Sequence, residues 1–428
     1  MTSLATETSR LSRLAQELHG SVILRIAGEV RAMIGQGKEI VNLTVGDFSP
    51  REFRVPIEME DAVVDALRDG ETNYPPSAGM DALRVAVQRF YQRYFHRTHA
   101  IDEILITAGA RPAIYGIFRA LVDAGDRVVF GVPGWNNEFY CELTGAEAVP
   151  IPCDARTNFM VTADLLRDHL GGARLLSLNS PLNPTGTVFS EAVLADICDL
   201  VLEENARRAS TGERPLFVMY DQVYWMLTFG EIKHVDPLSL RPELAPYVVY
   251  VDATSKAFAA TGLRVGWAIG PADVIKPMSD INTHVGAWAP RPEQVASARY
   301  LDDAAKVDPF VAHMRKEASA RLDAAYAGIQ ALRAEGLPVD CVRPQGAIYL
   351  SARFALHGRR TPDNRVLETD DDVRRYLLAS AGVAAIPFGA FGSAEGGGWF
   401  RLSIGAVSVA QIKESIGRLQ TSVSALGH

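Results

Sequence analysis

The chain has 428 residues and a mass of 46.5 kDa, room for two or three structural units around a large buried core. With 48% hydrophobic and 22% charged residues, it is neither disordered nor of low complexity. A net charge of −8, with no basic run, excludes the electrostatic footprint of a nucleic-acid or anionic-membrane binder.

Four cysteines, Cys141, Cys153, Cys198 and Cys341, show no CxxC spacing. They read as reduced, mostly buried thiols rather than a zinc site or a disulfide framework. No apolar run approaches the ~18 residues of a membrane span, and the first twenty residues lack the apolar core of a signal peptide. The expected location is the cytoplasm.

Along the chain, Leu11, Leu14, Leu18, Ile23, Ile26 and Val30 recur at helical spacing and predict helix up to about Gly37. A strand over 40–45 follows and ends at Gly46. Amphipathic helices are predicted over 58–68 and 79–96, separated by the turn at Pro75-Pro76. From residue 104 short apolar runs alternate with helical stretches such as 112–122 and 190–206. The runs are 104–107, 127–130, 148–151, 174–178, 215–220, 247–251 and 265–270. Nearly unbroken apolar strands between helices predict an α/β fold with a mostly parallel sheet covered on both faces. Such sheets bind ligands at the carboxyl ends of their strands. A long helix over 292–335 leads into an α+β part. That part has a strand at 347–353, a helix at 370–381, a Gly-rich hairpin at 389–398, a strand at 399–404 and a closing helix at 408–424. The expected architecture is one large α/β domain and a small domain built from both chain ends, with boundaries 1–55, 56–300 and 301–428.

The strand ends carry the chemistry. The run 215–220 leads into Asp221-Gln222-Val223-Tyr224, and a carboxylate there points into the cleft mouth or caps the next helix. The run 247–251 leads into Asp252-Ala253-Thr254-Ser255-Lys256. Only seven of the 43 basic residues are lysine. Lys256 alone follows an apolar strand among small hydroxyl residues, where desolvation favours the neutral, nucleophilic amine. The other six, Lys38, Lys233, Lys276, Lys306, Lys316 and Lys413, lie in polar turns or amphipathic helices. Asn179-Ser180-Pro181-Leu182-Asn183-Pro184-Thr185-Gly186 follows another strand and makes a rigid turn presenting an amide. The segment 104–118 runs from strand through a small-residue turn into a helix, an anion site of weak specificity.

Taken in order, Asn183-Pro184-Thr185-Gly186, Asp221-x-x-Tyr224, Ser255-Lys256, Gly262-x-Arg264-x-Gly266 and Arg401-Leu402-Ser403 resemble the class I/II aminotransferases. These are fold-type-I enzymes of the aspartate aminotransferase type that use pyridoxal 5'-phosphate (PLP). The resemblance spans roughly residues 40 to 424. It implies that Lys256 binds PLP as a Schiff base and moves the substrate proton. It implies that Asp221 pairs with the ring nitrogen, an arrangement that makes the ring an electron sink. Tyr224 and Asn183 are implied to bond the ring's phenolic oxygen, and Trp135 to stack on the ring. Arg264 and the amides of Ala110 and Arg111 fit the phosphate, and Tyr74 the neighbouring subunit's phosphate, which implies a homodimer with shared sites. Arg401 is implied to bind the substrate α-carboxylate through its planar fork, with Gly46 near it.

Three features depart from the family pattern. Ala253 stands where the family has a phosphate-binding Ser, which leaves Thr254 or Ser255 to serve. Pro112 sits early in the helix of the phosphate cup, where it is tolerated. The second Arg that clamps a dicarboxylate's far end has no clear equivalent; His284, Trp288 and Arg291 lie in that region, and Arg291 is the candidate. The implied activity is transfer of an amino group from an L-amino acid to a 2-oxo acid, with 2-oxoglutarate expected and either aspartate-type or broad specificity. The same fold also serves PLP lyases and decarboxylases, and a non-enzymatic PLP-binding regulator is a third reading.

Overall fold

Seven apolar segments between residues 104 and 269 join into one sheet. The structure, a computed structural model, describes residues 10–394 and 397–427. After a two-residue strand β1 (Val41–Asn42), the sheet comprises β2 (Ile104–Thr107), β3 (Arg127–Val132), β4 (Glu147–Pro152), β5 (Ala173–Asn179), β6 (Phe217–Asp221), β7 (Val248–Ala253) and β8 (Gly266–Ile269). Their order is β2-β8-β7-β6-β5-β3-β4. Every pairing is parallel except those of β8, which runs antiparallel to both β2 and β7. Residues of β2, β6, β7 and β8 are buried throughout, because helices cover both faces and leave no wet side. One face packs Val218, Tyr220, Val248, Tyr250 and Trp267 into the larger core. The other packs Leu105, Phe217, Met219, Val249 and Val251 against the helix Ala110–Leu121.

The C-terminal part adds β9 (Val339–Cys341), β10 (Tyr349–Phe354), β11 (Val383–Ala384), β12 (Ile386–Pro387) and β13 (Trp399–Ser403). Four of these form an antiparallel sheet, β12-β13-β10-β9, and β11 pairs in parallel with β1. Val41 and Leu43 share a core with Leu350, Phe354, Val383 and Phe400, so the N-terminal segment is stitched into the C-terminal part.

The structure departs from the sequence reading where local capping interrupts a periodic pattern. The first helix divides into Arg13–Glu17 and Val22–Gly35, because Ser21 caps the second by accepting from the Leu24 N–H. The long helix over 292–335 divides into Arg291–Leu301 and Ala304–Ala334, where Asp303 accepts from the Ala305 N–H. The strand over 40–45 shrinks to two residues. The Asn42 side chain accepts from the Thr44 N–H and hydroxyl and turns the chain there. In the Gly-rich segment at 389–398, residues 388–391 form a 3₁₀ turn, and Glu395 and Gly396 lie outside the described residues. Among the described residues no helix is long and apolar enough to cross a membrane. The four cysteines are buried free thiols.

The helix Val22–Gly35 is held to the C-terminal part by Ile26, Ala27 and Val30 and by one ion pair. Arg374 is almost fully buried and reaches Glu29 at 3.1 Å and Asp371 at 2.7 Å. Arg374→Ala is expected to loosen this helix by about 1–3 kcal/mol, roughly a ten- to hundredfold faster amide exchange over residues 22–35. Protection of β5, β6 and β7 is expected to stay as in the unmodified protein; an equal loss there would contradict the assignment.

Candidate active site

The carboxyl ends of β5, β6 and β7 open on a cavity of about 540 Å³ that the C-terminal part closes from the other side. Its wall includes Lys256, Asp221, Tyr224, Asn183, Trp135, Arg264, Ala110, Arg111, Ser255, Gly46 and Arg401. Of the residues singled out in the sequence, Tyr74 and Arg291 are not on this wall.

Lys256 lies in a single helical turn, Thr254–Ala257, directly after β7. Its Nζ donates to the Gly46 carbonyl at 2.7 Å. Burial pulls its pKa down to about 8. Asp47 opposes that shift, while Arg401, Arg264 and Arg111 add to it by repulsion. At neutral pH an appreciable share of the amine is therefore unprotonated, as a nucleophile requires.

Asp221 ends β6. Among the described residues its carboxylate accepts only from the Val223 N–H, at 3.1 Å. Burial pushes its pKa up to about 6, against the pull of that N–H and of Lys256. A buried acid so poorly satisfied is set to take a cationic or N–H partner from the cavity. Asn179 fixes the neighbouring turn: its Nδ2 donates to the Asp221 carbonyl at 2.8 Å and its Oδ1 accepts from the Asn183 N–H at 2.9 Å.

Arg401 comes from β13, opposite Ser351 of β10. It is 1% exposed and has no ion-pair partner among the described residues. Nη1 donates to Asn183 Oδ1 at 3.1 Å and Nη2 to the Thr44 carbonyl at 2.6 Å. Nε has no partner among the described residues. The rings of Tyr349 and Phe391 lie 4.7 and 4.9 Å from its guanidinium carbon. Burial lowers its pKa, partly offset by Tyr349 and Tyr224. A buried guanidinium with neutral partners gains from any carboxylate that enters.

At the other end, Arg264 donates to the carbonyls of Thr261 at 2.7 Å and Ala108 at 3.0 Å. The helix Ala110–Leu121 starts beside it, with unpaired first-turn N–H groups at its N-terminus. Gly109 precedes that helix at φ +86°, and a Cβ there would lie 2.2 Å from Arg264 Nη2. Only glycine leaves room for the guanidinium against this turn. Arg111 stands 5.1 Å over the Trp135 ring.

The two candidate hydroxyls separate. Thr254 is fully buried and donates to the Val265 carbonyl, whereas Ser255 reaches the cavity. Tyr74 is 81% exposed and packs on Trp288, with ring centroids 5.3 Å apart. Arg291 is engaged by Glu71 of its own chain and does not line this cavity. Sequence reasoning missed Tyr349, whose hydroxyl lies 2.5 Å from that of Tyr224. It also missed Asp47, which accepts from the Thr261 hydroxyl, and Arg31 on the helix Val22–Gly35 at the cavity mouth.

PLP needs an amine for its aldehyde, an acid at its ring nitrogen, a flat partner for its ring and an anion site for its phosphate. Lys256, the under-satisfied Asp221, Trp135 and the Arg264–Ala110 corner offer that set around one cavity, so the residues fit the group.

Residues 38–419 match the aminotransferase class I and II family. The aspartate aminotransferase of Rhizobium meliloti (strain 1021) is 30% identical over 409 residues, 95% of this chain and 94% of its own. That of Bacillus sp. (strain YM-2) is 28% identical, over 96% and 99%. Among solved structures, the Rhizobium meliloti aspartate aminotransferase superposes with a TM-score of 0.89 at 28% identity, covering 98% of this chain and all of that one. The Thermus thermophilus aspartate aminotransferase with maleate gives 0.85 at 26%, covering 96% and 99%.

Gly109→Ala is expected to displace Arg264 and cut cofactor retention on dialysis at least about tenfold, about 1.4 kcal/mol. The far-ultraviolet circular dichroism should stay unchanged. Retention equal to that of the unmodified protein would remove this corner from the site.

Proposed function

The chain belongs to the class I and II aminotransferases, and from that premise we propose the role of each cavity residue and the substrates it takes. The enzyme is a PLP-dependent transaminase. When bound, PLP supplies an electron sink that lets the α C–H of an amino acid ionise. Lys256 would hold the cofactor through Nζ, and the same atom would take the proton from the substrate α-carbon. Its depressed pKa, about 8, supports that role, because a base poised near the working pH is the more effective one. Asp221 keeps the ring nitrogen protonated. Tyr224 and Asn183 hydrogen-bond the ring oxygen, and Trp135 covers one ring face. Arg264, Ser255 and the amides of Ala110 and Arg111 hold the phosphate. Arg401 and the Gly46 backbone receive the substrate α-carboxylate. The single observation that supports the reading is Arg401, buried with no ion-pair partner and no partner for Nε among the described residues, on the same cavity as the desolvated Lys256 amine.

The donor class follows from the cations left on the wall. With Arg291 held by Glu71, a second carboxylate falls to Arg111 and to Arg31 at the mouth, neither of which has an ion-pair partner among the described residues. The names of the relatives, and maleate in one solved relative, support a dicarboxylate such as aspartate as donor and 2-oxoglutarate as acceptor. A homodimer is supported by exposed Tyr74, Ile57, Val64, Leu67 and Val285, a set of apolar side chains that a second copy would cover. The proposed units are 1–55 and 301–428 for the small domain and 56–300 for the large one, and the proposed location is the cytoplasm.

Single amino acids added to the PLP-loaded protein without a 2-oxo acid test the reading. Aspartate or glutamate is expected to convert the visible absorption band and release one equivalent of 2-oxo acid. Release of ammonia or carbon dioxide instead would overturn transamination. Arg401→Lys is expected to lower kcat/KM about 10- to 100-fold, because an ammonium cannot replace a fork. Arg111→Ala should raise KM for aspartate more than for alanine; an equal effect on both would leave the far carboxylate to another group.

A further inference from the structure

Tyr349 touches three parts of the site at once. It stands on β10, is 1% exposed and lines the cavity. Its hydroxyl lies 2.5 Å from the Tyr224 hydroxyl, with the two rings edge to face at 5.6 Å. The Arg401 guanidinium lies over its ring at 4.7 Å. A Cβ at Gly46 would come within 2.9 Å of its hydroxyl, beside the carbonyl that holds Lys256.

Neither phenol has another hydrogen-bond partner among the described residues. The bond between them therefore has two possible polarities. If Tyr224 donates to Tyr349, the Tyr224 proton is spent inside the pair. If Tyr349 donates to Tyr224, the Tyr224 proton is free to point at an acceptor in the cavity. The second polarity makes two bonds in a chain, and each strengthens the other. A cation lies over each ring, Arg401 at 4.7 Å on Tyr349 and Lys256 at 5.5 Å on Tyr224, and the closer one, the permanently charged guanidinium, makes Tyr349 the better donor of the two.

We propose that Tyr349 is a positioning residue of the transamination site, donating to the Tyr224 oxygen so that the Tyr224 proton is aimed at the oxygen of the bound ring. The proposal rests on the reading of Tyr224 given above. It also links the α-carboxylate site to the cofactor ring, because the Arg401 that would receive the α-carboxylate is stacked on the phenol that directs Tyr224. Besides Arg401, the charged groups facing the pair are Lys256, 5.5 Å from the Tyr224 ring, and Asp47 and Asp221; all remain in the variants below.

The test titrates the visible band of the PLP-loaded protein, which reports the proton on the Lys256 linkage. Tyr349→Phe is expected to raise its midpoint by about one pH unit and to lower kcat several-fold, with KM for the amino acid little changed. In a Tyr224→Phe background the same substitution should shift nothing further. An unchanged midpoint in Tyr349→Phe would overturn the proposal, and so would an equal shift in both backgrounds, since Tyr349 would then act through packing or Arg401. Tyrosinate difference absorbance of the cofactor-free protein reads the pair without any ligand. Replacing either phenol by phenylalanine should move the titration of the other, and a survivor that does not move would also overturn the relay. A protein that binds no PLP yet shows this coupling would fail the functional reading and leave the phenol pair standing.

Discussion

The site depends on positive charge buried against neutral oxygens. Lys256 is held by the Gly46 carbonyl, Arg401 by the Thr44 carbonyl and the Asn183 amide, and Arg264 by the carbonyls of Ala108 and Thr261. Carbonyl oxygens orient these cations without neutralising them. Among the described residues the cavity wall sets against them only Asp47 and Asp221, whose pKa burial pushes up to about 6. Desolvated charge of one sign is costly to keep, and an anion that enters at either end relieves it. The same imbalance would favour a phosphate at Arg264 and a carboxylate at Arg401, and it adds to the burial that lowers the pKa of Lys256.

The fold sustains this cost by building the cavity from parts that are rigid for other reasons. Asp221 and Lys256 leave adjacent parallel strands of a sheet buried on both faces. Arg401 comes from the second sheet, where its strand is paired on both sides. Thr44 and Gly46 follow the short strand that joins the N-terminal segment to Val383–Ala384. Three chain regions, the N-terminal segment and the second sheet sharing one core, therefore meet over one amine. The helix Val22–Gly35 carries Arg31 to the mouth, tied down by the Glu29–Arg374 pair.

Much of this was legible in the sequence, for identifiable reasons. Most of the sheet strands read as apolar runs because both of their faces are buried; the edge strand β4 buries only Val149 and Ile151. Asp221 and Lys256 stood out because polar residues directly after such runs land at the ligand-binding edge of the sheet. Arg401 was singled out through motif order and not through local chemistry, since a buried Arg in an apolar strand carries no periodic signal, whereas the Asn183 turn was also marked by its Asn and Pro residues. Tyr349 was missed because Ala347-Ile348-Tyr349-Leu350 reads as core strand, and its partner is 125 residues away. The pairing of Arg291 with Glu71, 220 residues distant, is invisible to local reading. The breaks at Ser21 and Asp303 escaped because a capping side chain interrupts the helix while the apolar spacing runs on.

The most direct measurement exploits the scarcity of lysine. With seven lysines in the chain, ε-¹³C-lysine labelling of the cofactor-free protein gives few enough NMR signals to follow each through a pH titration. One resonance is expected to reach its midpoint near 8 and to be missing from Lys256→Arg. No lysine resonance titrating below about 10, close to the ordinary value, would show that Lys256 is not desolvated among uncompensated cations and would contradict the electrostatic basis of the site.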